Sequence, residues 1–332
     1  MSNIKKKVDP NGTYTPEEAK ELGIKIDLFG TPVLDAARNM KDFFIIPPFS
    51  IIDTMAGDWQ QRKKRWDVLI GNNRESREGT LFGTGETEVT KKVGEFNEGV
   101  SVFDACLAEI ICKWFACAGF HILDPFAGGN FGYVSSYLDM IFTGFEVRKE
   151  QCQINNHRLQ RDDFHKSKYI HSSSIHLEKF IADNSQDMLF TCPPYLDLEV
   201  YSNDPEDLST MKPKDFFKVY RQILTNASKK VKDNRFAVIV VSEVRCKKTG
   251  RYLHLVKNTI DIMEDAGWMY YNDIILVNSV GTLPLRVNAQ MNTGRKVGRR
   301  HQNVLVFYKG DAKEIKNNFH ELVPPNDFYN NK

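Results

Sequence analysis

The sequence predicts an α/β protein built on an open, mostly parallel β-sheet with helices on both faces. Three observations support this fold class. From about Val102 onward, short apolar segments that predict strands alternate with longer amphipathic segments that predict helices. The segment FHILDPFAGGNFG, at residues 120–132, has the order strand, glycine-rich turn, helix that is typical of such sheets. The last two predicted strands have no predicted helix between them, which indicates that they pair antiparallel.

Length, composition and charge describe an ordinary globular protein. The chain has 332 residues, of which 41% are hydrophobic and 27% are charged, so it can bury a core without disulfide bonds. With 45 basic residues against 43 acidic ones, any contact with nucleic acid has to come from local basic patches. No apolar run reaches the roughly 18 residues of a membrane helix, and the polar, lysine-rich start is unlike a secretory signal peptide. Six scattered cysteines without a Cys-x-x-Cys pair predict a reducing, cytoplasmic location and no zinc ribbon.

The other elements are predicted from hydrophobic periodicity and from the residues that start and stop them. Residues 58–70 carry Trp59 and Trp66 at helical spacing among basic residues, which predicts a helix that packs its tryptophans in the core; a basic, aromatic surface that contacts phosphates is the alternative. Further helices are predicted at residues 103–115, 133–138, 149–161, 213–231 and 252–266. Together with the strand that ends at residue 124, strands at residues 141–147, 168–171, 187–191, 236–242, 270–277 and 304–308 make a sheet of seven.

The glycine turn after the first of these strands has the features of a cofactor site. Glycines at positions 128, 129 and 132 allow a ligand to approach the backbone closely. Glu146 ends the next strand, 22 residues after Asp124, which is about where a carboxylate that binds a ribose is found. The glycine spacing is not G-x-G-x-x-G, so a dinucleotide is not expected. The alternative is a tight strand–helix turn with Glu146 merely exposed.

A second motif, Thr191-Cys192-Pro193-Pro194-Tyr195, ends a buried strand. Two consecutive prolines can continue neither a helix nor a strand ladder, so they fix the chain at the sheet edge where ligands bind. The carbonyl of Pro193 beside the ring of Tyr195 suits a planar ring that carries an amino group. The alternative is a strand that simply ends at prolines.

Together, the two motifs resemble the amino-methyltransferases that modify DNA bases at an exocyclic nitrogen, the N6-adenine and N4-cytosine type. The matching segments are DPFAGGNFG at 124–132, FEV ending at Val147 and TCPPY at 191–195; FNEGVSVFDACLAEIICKWF at 96–115 is similar to the family segment that precedes the glycine turn. The segments at 45–66 and 298–310 resemble phage-type DNA modification methylases in particular.

The resemblance implies a Rossmann-like methyltransferase fold, with seven strands of which the last is antiparallel, and S-adenosylmethionine as cofactor. The substrate it implies is a base flipped out of double-stranded DNA, adenine N6 ahead of cytosine N4. A restriction enzyme is a possible counterpart, and the location is the cytoplasm of a bacterium or of a phage-infected cell. An RNA or protein methyltransferase, and a nucleic-acid-binding protein that has the fold without the activity, are the alternatives.

The resemblance also assigns residues. It implies that Cys192, Pro193, Pro194 and Tyr195 hold the target base and act in catalysis, with no metal. The residues implied at the cofactor are Asn97, Asp124, Phe126, Ala127, Gly128, Gly129, Gly132, Glu146, Ser173 and Thr191.

Two positions depart from the family pattern. Cys192 stands where the family has Asp, Asn or Ser, and a thiol accepts hydrogen bonds only weakly, so we expect a catalytic contribution lower by about 1 kcal/mol. The run His171-Ser172-Ser173-Ser174 lacks the acidic residue that many members place near the adenine. A covalent role for Cys192, as in enzymes that methylate carbon 5 of cytosine, is disfavoured because those enzymes resemble a pattern with proline before the cysteine.

A basic segment near the carboxyl end is the candidate DNA contact. The predicted contact residues are Arg286, Asn288, Arg295, Lys296, Arg299 and Arg300. Arginine and asparagine can read base edges and basic side chains can track phosphates, whereas a solvated loop is the alternative. The predicted organisation is an amino-terminal extension at 1–95 with a possible DNA contact, a catalytic domain at 96–312 with recognition insertions near 196–214 and 278–301, and a tail at 313–332.

Overall fold

The computed structural model of the chain describes residues 45–71, 103–196, 205–281 and 283–319. The described residues from Phe49 onward belong to one compact unit, and residues 45–48 belong to another. The strands of the larger unit are β1 (Ile51–Asp53), β2 (His121–Asp124), β3 (Ile141–Glu146), β4 (Lys168–His171), β5 (Gln186–Thr191), β6 (Val231–Val241), β7 (Met269–Val277) and β8 (His301–Lys309). Its α-helices are α1 (Trp59–Ile70), α2 (Ala105–Phe115), α3 (Phe131–Tyr137), α4 (Lys149–Arg161), α5 (Pro213–Lys230), α6 (Leu255–Asp265), α7 (Leu283–Gly294) and α8 (Ile315–Asn318).

These strands form one sheet in the order β1-β7-β8-β6-β5-β2-β3-β4. Strand β8 pairs antiparallel with both β6 and β7, and the other pairings among the described strands are parallel. The predicted mostly parallel sheet with an antiparallel last strand is therefore confirmed. The sheet has one strand more than the predicted seven, because the short strand β1 pairs with β7 at the edge.

Helix α7 lies between β7 and β8, where the sequence predicts none, so that part of the prediction is wrong. Its sequence, LPLRVNAQMNTG, has no buried residue and therefore no apolar stripe for a periodicity argument to detect. The expected antiparallel pairing of β7 with β8 is nevertheless present.

Apolar clusters on the two faces of the sheet hold the strand ends in place. On one face, Leu189 and Ile239 of neighbouring strands share a buried cluster with Tyr220 of α5. Because successive strand residues point to opposite faces, Phe190 lies on the other face, where its ring stacks on that of Phe131 of α3 with 3.7 Å between centroids. Burying one such side chain contributes about 1.5–3 kcal/mol to folding.

Helix α1 packs on α2 through its tryptophans, as the core interpretation predicts. Trp59 and Trp66 are buried, and Trp66 Nε1 donates a hydrogen bond to Glu109 Oε2 at 2.8 Å. The guanidinium of Arg62 pairs with the same buried carboxylate at 2.5 Å. Residues 51–70 thus pack with the sheet unit, while the predicted domain boundary at 95/96 stays a prediction.

Candidate active site

The carboxyl ends of the parallel strands meet at one edge of the sheet, where a cavity of about 1040 Å³ opens. Asp124 ends β2, Glu146 ends β3, and Cys192 directly follows β5. Both motifs contribute to the cavity wall, the turn through residues 124–129 and the corner through residues 192–195. The glycine turn and the proline corner, 67 residues apart between Asp124 and Thr191, therefore border the same space.

Asp124 is buried in this wall and braces the turn. Its Oδ1 accepts hydrogen bonds from the Thr191 hydroxyl at 2.6 Å and from the Phe126 backbone N–H at 3.0 Å. Burial has the largest influence on this carboxyl and raises its pKa to about 7, while the two hydrogen bonds act in the opposite direction. A cation that enters the cavity beside Asp124 would favour the ionised form of the carboxyl.

Side chains of α4 hold the backbone of the glycine turn. Asn155 Nδ2 donates to the Gly128 carbonyl at 3.1 Å, and Arg158 Nη1 donates to the Gly129 carbonyl at 3.0 Å. A Cβ added at Gly128 would meet no atom within 4 Å, so this part of the cavity wall borders open space. The turn is thus fixed by α4 and accessible to a ligand.

Gly132 is not among the residues that line the cavity, and its predicted place at the cofactor stays a prediction. An added Cβ would clash with the Tyr169 hydroxyl and would lie 2.6 Å from the Phe142 ring. The backbone N–H of Gly132 also donates to that hydroxyl at 3.2 Å. The absence of a side chain at this glycine therefore lets α3 pack closely on β3 and β4.

The remaining predicted cofactor residues, Ser173, Thr191 and Asn97, differ from one another in their position relative to the cavity. Ser173, the residue before a short 3-10 helix, lines the cavity. Thr191 is fully buried outside the cavity wall and its hydroxyl donates to Asp124, so its predicted contact with the cofactor stays a prediction. Asn97 lies outside the described residues.

Glu146 lies in the wall at the end of β3, and it is 6% exposed. Its Oε1 accepts a hydrogen bond from the Arg148 backbone N–H at 2.9 Å, and Arg148 Nε lies 3.4 Å from the same oxygen. Arg148 and Gln151 also line the cavity, although no sequence motif pointed to them. Arg148, the residue directly before α4, therefore holds the carboxylate of Glu146 at the cavity.

The proline corner continues directly from β5 and fixes the ring of Tyr195. Gln302 Nε2 donates to the Tyr195 hydroxyl at 2.8 Å. The same hydroxyl lies 3.4 Å from Cys192 Sγ and donates to the Val240 carbonyl at 3.4 Å. Leu196, with φ of 53°, adopts the left-handed conformation that non-glycine residues seldom adopt, so the chain turns sharply after the corner.

The predicted DNA-contact residues divide into two groups. Arg286, Arg299 and Arg300 line the cavity, whereas Asn288, Arg295 and Lys296 are exposed beyond it. Arg299 is tied to neighbouring strand ends, because its Nε donates to Ser242 Oγ at 3.0 Å and its Nη2 donates to Asn303 Oδ1 at 2.8 Å. No aspartate or glutamate occurs between residues 278 and 301, so this rim of the cavity is basic.

Sequence reasoning missed Glu243, which lines the cavity just beyond β6. Its Oε1 accepts a hydrogen bond from the Val256 backbone N–H at 3.1 Å, in the first turn of α6, and its Oε2 is buried without a hydrogen-bond partner among the described residues. The only available signal was its position after a parallel strand, since such residues line the crevice. Gln302, at the start of β8, was missed in the same way.

Metal-binding clusters and membrane-spanning helices are both absent from the described residues. They contain no group of three or more His, Cys, Asp or Glu side chains placed to hold a metal ion. None of their helices has the length and apolar composition that crossing a bilayer requires.

Solved structures with a similar backbone include TrmN from Thermus thermophilus, at 12% identity and a TM-score of 0.41 over 62% of this chain and 49% of that one. The matched part is thus about half the length of TrmN. A SAM-dependent methyltransferase from Methanosarcina mazei matches at 12% identity and a TM-score of 0.41, over 60% and 96% of the two chains. An O-methyltransferase of Brevibacillus brevis, solved with S-adenosyl-L-homocysteine, matches at 11% identity and a TM-score of 0.41, over 62% and 72%. Likeness of this degree carries no argument about activity.

A family model described as DNA methylase, of the N6-adenine and N4-cytosine type, matches residues 186–331. The matched region contains the proline corner, strands β5 to β8 and the basic rim. This region, which is less than half of the chain, is similar to that family. The resemblance predicted from the motifs is confirmed, whereas its phage-type detail stays a prediction. No curated protein sequence matches the chain.

Proposed function

We propose that this enzyme methylates the N6 amino group of an adenine that is flipped out of double-stranded DNA. The observation that carries the proposal is the common cavity of the glycine turn and the proline corner. Its volume, about 1040 Å³, is at the upper end of the roughly 300–1,000 Å³ of small-molecule pockets, so a cofactor and one extrahelical base can both be accommodated.

The residues of the turn suit S-adenosylmethionine. Asp124 and Glu146 place two buried carboxyl groups at neighbouring strand ends, and Gly128 leaves the backbone between them open. A carboxylate can accept hydrogen bonds from both hydroxyls of a ribose, which we assign to Glu146. The ionised form of Asp124 would stabilise the cationic methionine end of the cofactor. We therefore assign the binding of this end to Gly128, Gly129 and the carboxylate of Asp124.

The proline corner would hold the target base. The carbonyl of Pro193 accepts one N–H of the exocyclic amine, and the ring of Tyr195 stacks on the base, which is worth about 1–3 kcal/mol. When the carbonyl accepts this N–H, the nitrogen lone pair is localised on the nitrogen instead of being shared with the base ring. The fixed corner also orients the amine toward the methyl donor. S-adenosylmethionine, held by the glycine turn, would supply an electrophilic methyl group as its carbon–sulfur bond breaks. The amino nitrogen held by the Pro193 carbonyl would accept that methyl group and release one proton to solvent.

The basic rim would bind the duplex around the flipped base. Arg295 and Lys296 are exposed there and suit phosphate contacts, while Arg286 and Arg300 sit where the rim meets the cavity. The further parts of the proposal rest on the family resemblance: a cytoplasmic enzyme of a bacterium or phage, with a restriction endonuclease of the same recognition sequence as its counterpart.

The test is to incubate the protein with double-stranded DNA and deuterium-labelled S-adenosylmethionine, then to digest the DNA and analyse its nucleosides by mass spectrometry. We expect labelled N6-methyldeoxyadenosine. Labelled N4-methyldeoxycytidine would refute the choice of base, and label in RNA but not in DNA would refute the substrate. If titration calorimetry finds no binding at millimolar cofactor, the proposal of catalysis fails altogether.

A further inference from the structure

Gln302 connects the basic rim to the proline corner. It is the second residue of β8, directly after the segment 278–301, and it lines the cavity. Its two amide atoms point in different directions: Nε2 donates to the Tyr195 hydroxyl at 2.8 Å, and Oε1 accepts from Asn278 Nδ2 at 3.4 Å. The side chain thus links two parts of the site that are 107 residues apart in sequence, from Tyr195 to Gln302.

The short contact is the one to Tyr195. Two further neighbours of this hydroxyl, Cys192 Sγ and the Val240 carbonyl, are each 3.4 Å away. Since sulfur forms only weak hydrogen bonds, Cys192 restrains the ring less than an oxygen at that distance would. The shortest of these three contacts with the Tyr195 hydroxyl therefore comes from outside the proline corner.

We propose that Gln302 is a positioning residue, which fixes the Tyr195 ring in the orientation that stacks on the flipped base. This inference rests on the proposed function and adds a residue that the motifs do not contain. Asn278 joins the arrangement from the rim: its backbone N–H donates to the Arg300 carbonyl at 2.9 Å, and its own carbonyl accepts from Arg300 Nε at 2.8 Å. The orientation of Tyr195 is thereby tied to the segment proposed to bind DNA.

A double-mutant cycle tests this assignment, using single-turnover methyl transfer on a duplex with one target site. Gln302→Leu removes the donor and Tyr195→Phe removes the hydroxyl while keeping the aromatic ring. We expect Gln302→Leu to slow transfer about 3- to 10-fold, the effect of one lost hydrogen bond, with an unchanged dissociation constant for the cofactor. In the Tyr195→Phe background, the same substitution should slow transfer less than twofold, because the contact is already absent.

The cycle is repeated with Gln302→Met, because methionine keeps the length of the side chain and changes the packing less. The matched control is Gln160→Leu, on the exposed side of α4. Equal slowing by Gln302→Leu in both backgrounds overturns the assignment, because it shows an effect that bypasses Tyr195. Full activity of Gln302→Leu and of Gln302→Met overturns it as well. If the wild-type protein itself transfers no methyl group to DNA, the proposed function fails and the assignment of Gln302 fails with it. If the wild type is active, equal slowing in both backgrounds or full activity of the variants overturns only the assignment of Gln302, and the proposed function stands.

Discussion

The buried carboxyl of Asp124 makes the stability of the unliganded protein depend on pH in a predictable direction. Burial raises its pKa from the usual 3.8 to about 7. The folded state therefore binds this proton more tightly than the unfolded state, and stability is lost as the pH rises from about 4 to about 7. A shift of about three pH units corresponds to about 4 kcal/mol, of which about 2–3 kcal/mol is lost between pH 5 and pH 8.

The substitution Asp124→Asn isolates this contribution. The asparagine Oδ1 can still accept from Thr191 and Phe126, but the side chain no longer titrates. Urea unfolding of both proteins at pH 5, 6, 7 and 8 gives the difference in their free energies of unfolding, in which the other titrating groups cancel. We expect the wild type to lose about 2–3 kcal/mol relative to the variant over this range. A pH-independent difference, or a wild type that gains on the variant as pH rises, would refute the assignment of a raised pKa.

Three further variants address the rim, the corner and the turn. Replacing both Arg295 and Lys296 by alanine should weaken DNA binding and reduce the slope of log K against log salt by about 2, as two lost phosphate contacts predict; an unchanged slope contradicts the placement of DNA on the rim. Cys192→Ser should keep the transfer rate within about tenfold, since its oxygen replaces a weak acceptor, and a dead variant would favour the covalent alternative. Gly132→Ala should lower the free energy of unfolding by about 1–3 kcal/mol through crowding in the core, while the dissociation constant of the folded protein for the cofactor stays the same. Weaker binding of the cofactor by this variant would indicate that Gly132 contacts the cofactor.

The fold was largely predictable because its strands and helices carry clear local patterns. The helix at 149–161 and the strand at 168–171 have the predicted bounds, since each is set by periodicity and by its own flanking residues. Strand β1 has only three residues and α7 buries no residue, so neither has a pattern that a sequence can reveal. Tertiary pairing, not local preference, creates the eighth strand.

The site was predictable where a motif encodes it and not where distant segments meet. The glycines at 128, 129 and 132 look alike in sequence, but the neighbours that place Gly132 in the core come from β3 and β4. Thr191 was recognised as part of the motif, yet its role depends on Asp124 on the adjacent strand. Gln302 and Glu243 belong to no motif, because they reach the cavity only through the order of strands in the sheet.

The most direct test of the proposed arrangement is a crystal structure with S-adenosylhomocysteine and a duplex that contains the target site. We predict that the homocysteine end lies against Gly128 and Gly129, and that the amino nitrogen of an extrahelical base lies beside the Pro193 carbonyl, facing the sulfur across the same cavity. A cofactor product bound elsewhere, or a base held on the far side of the proline corner from the glycine turn, would contradict this arrangement.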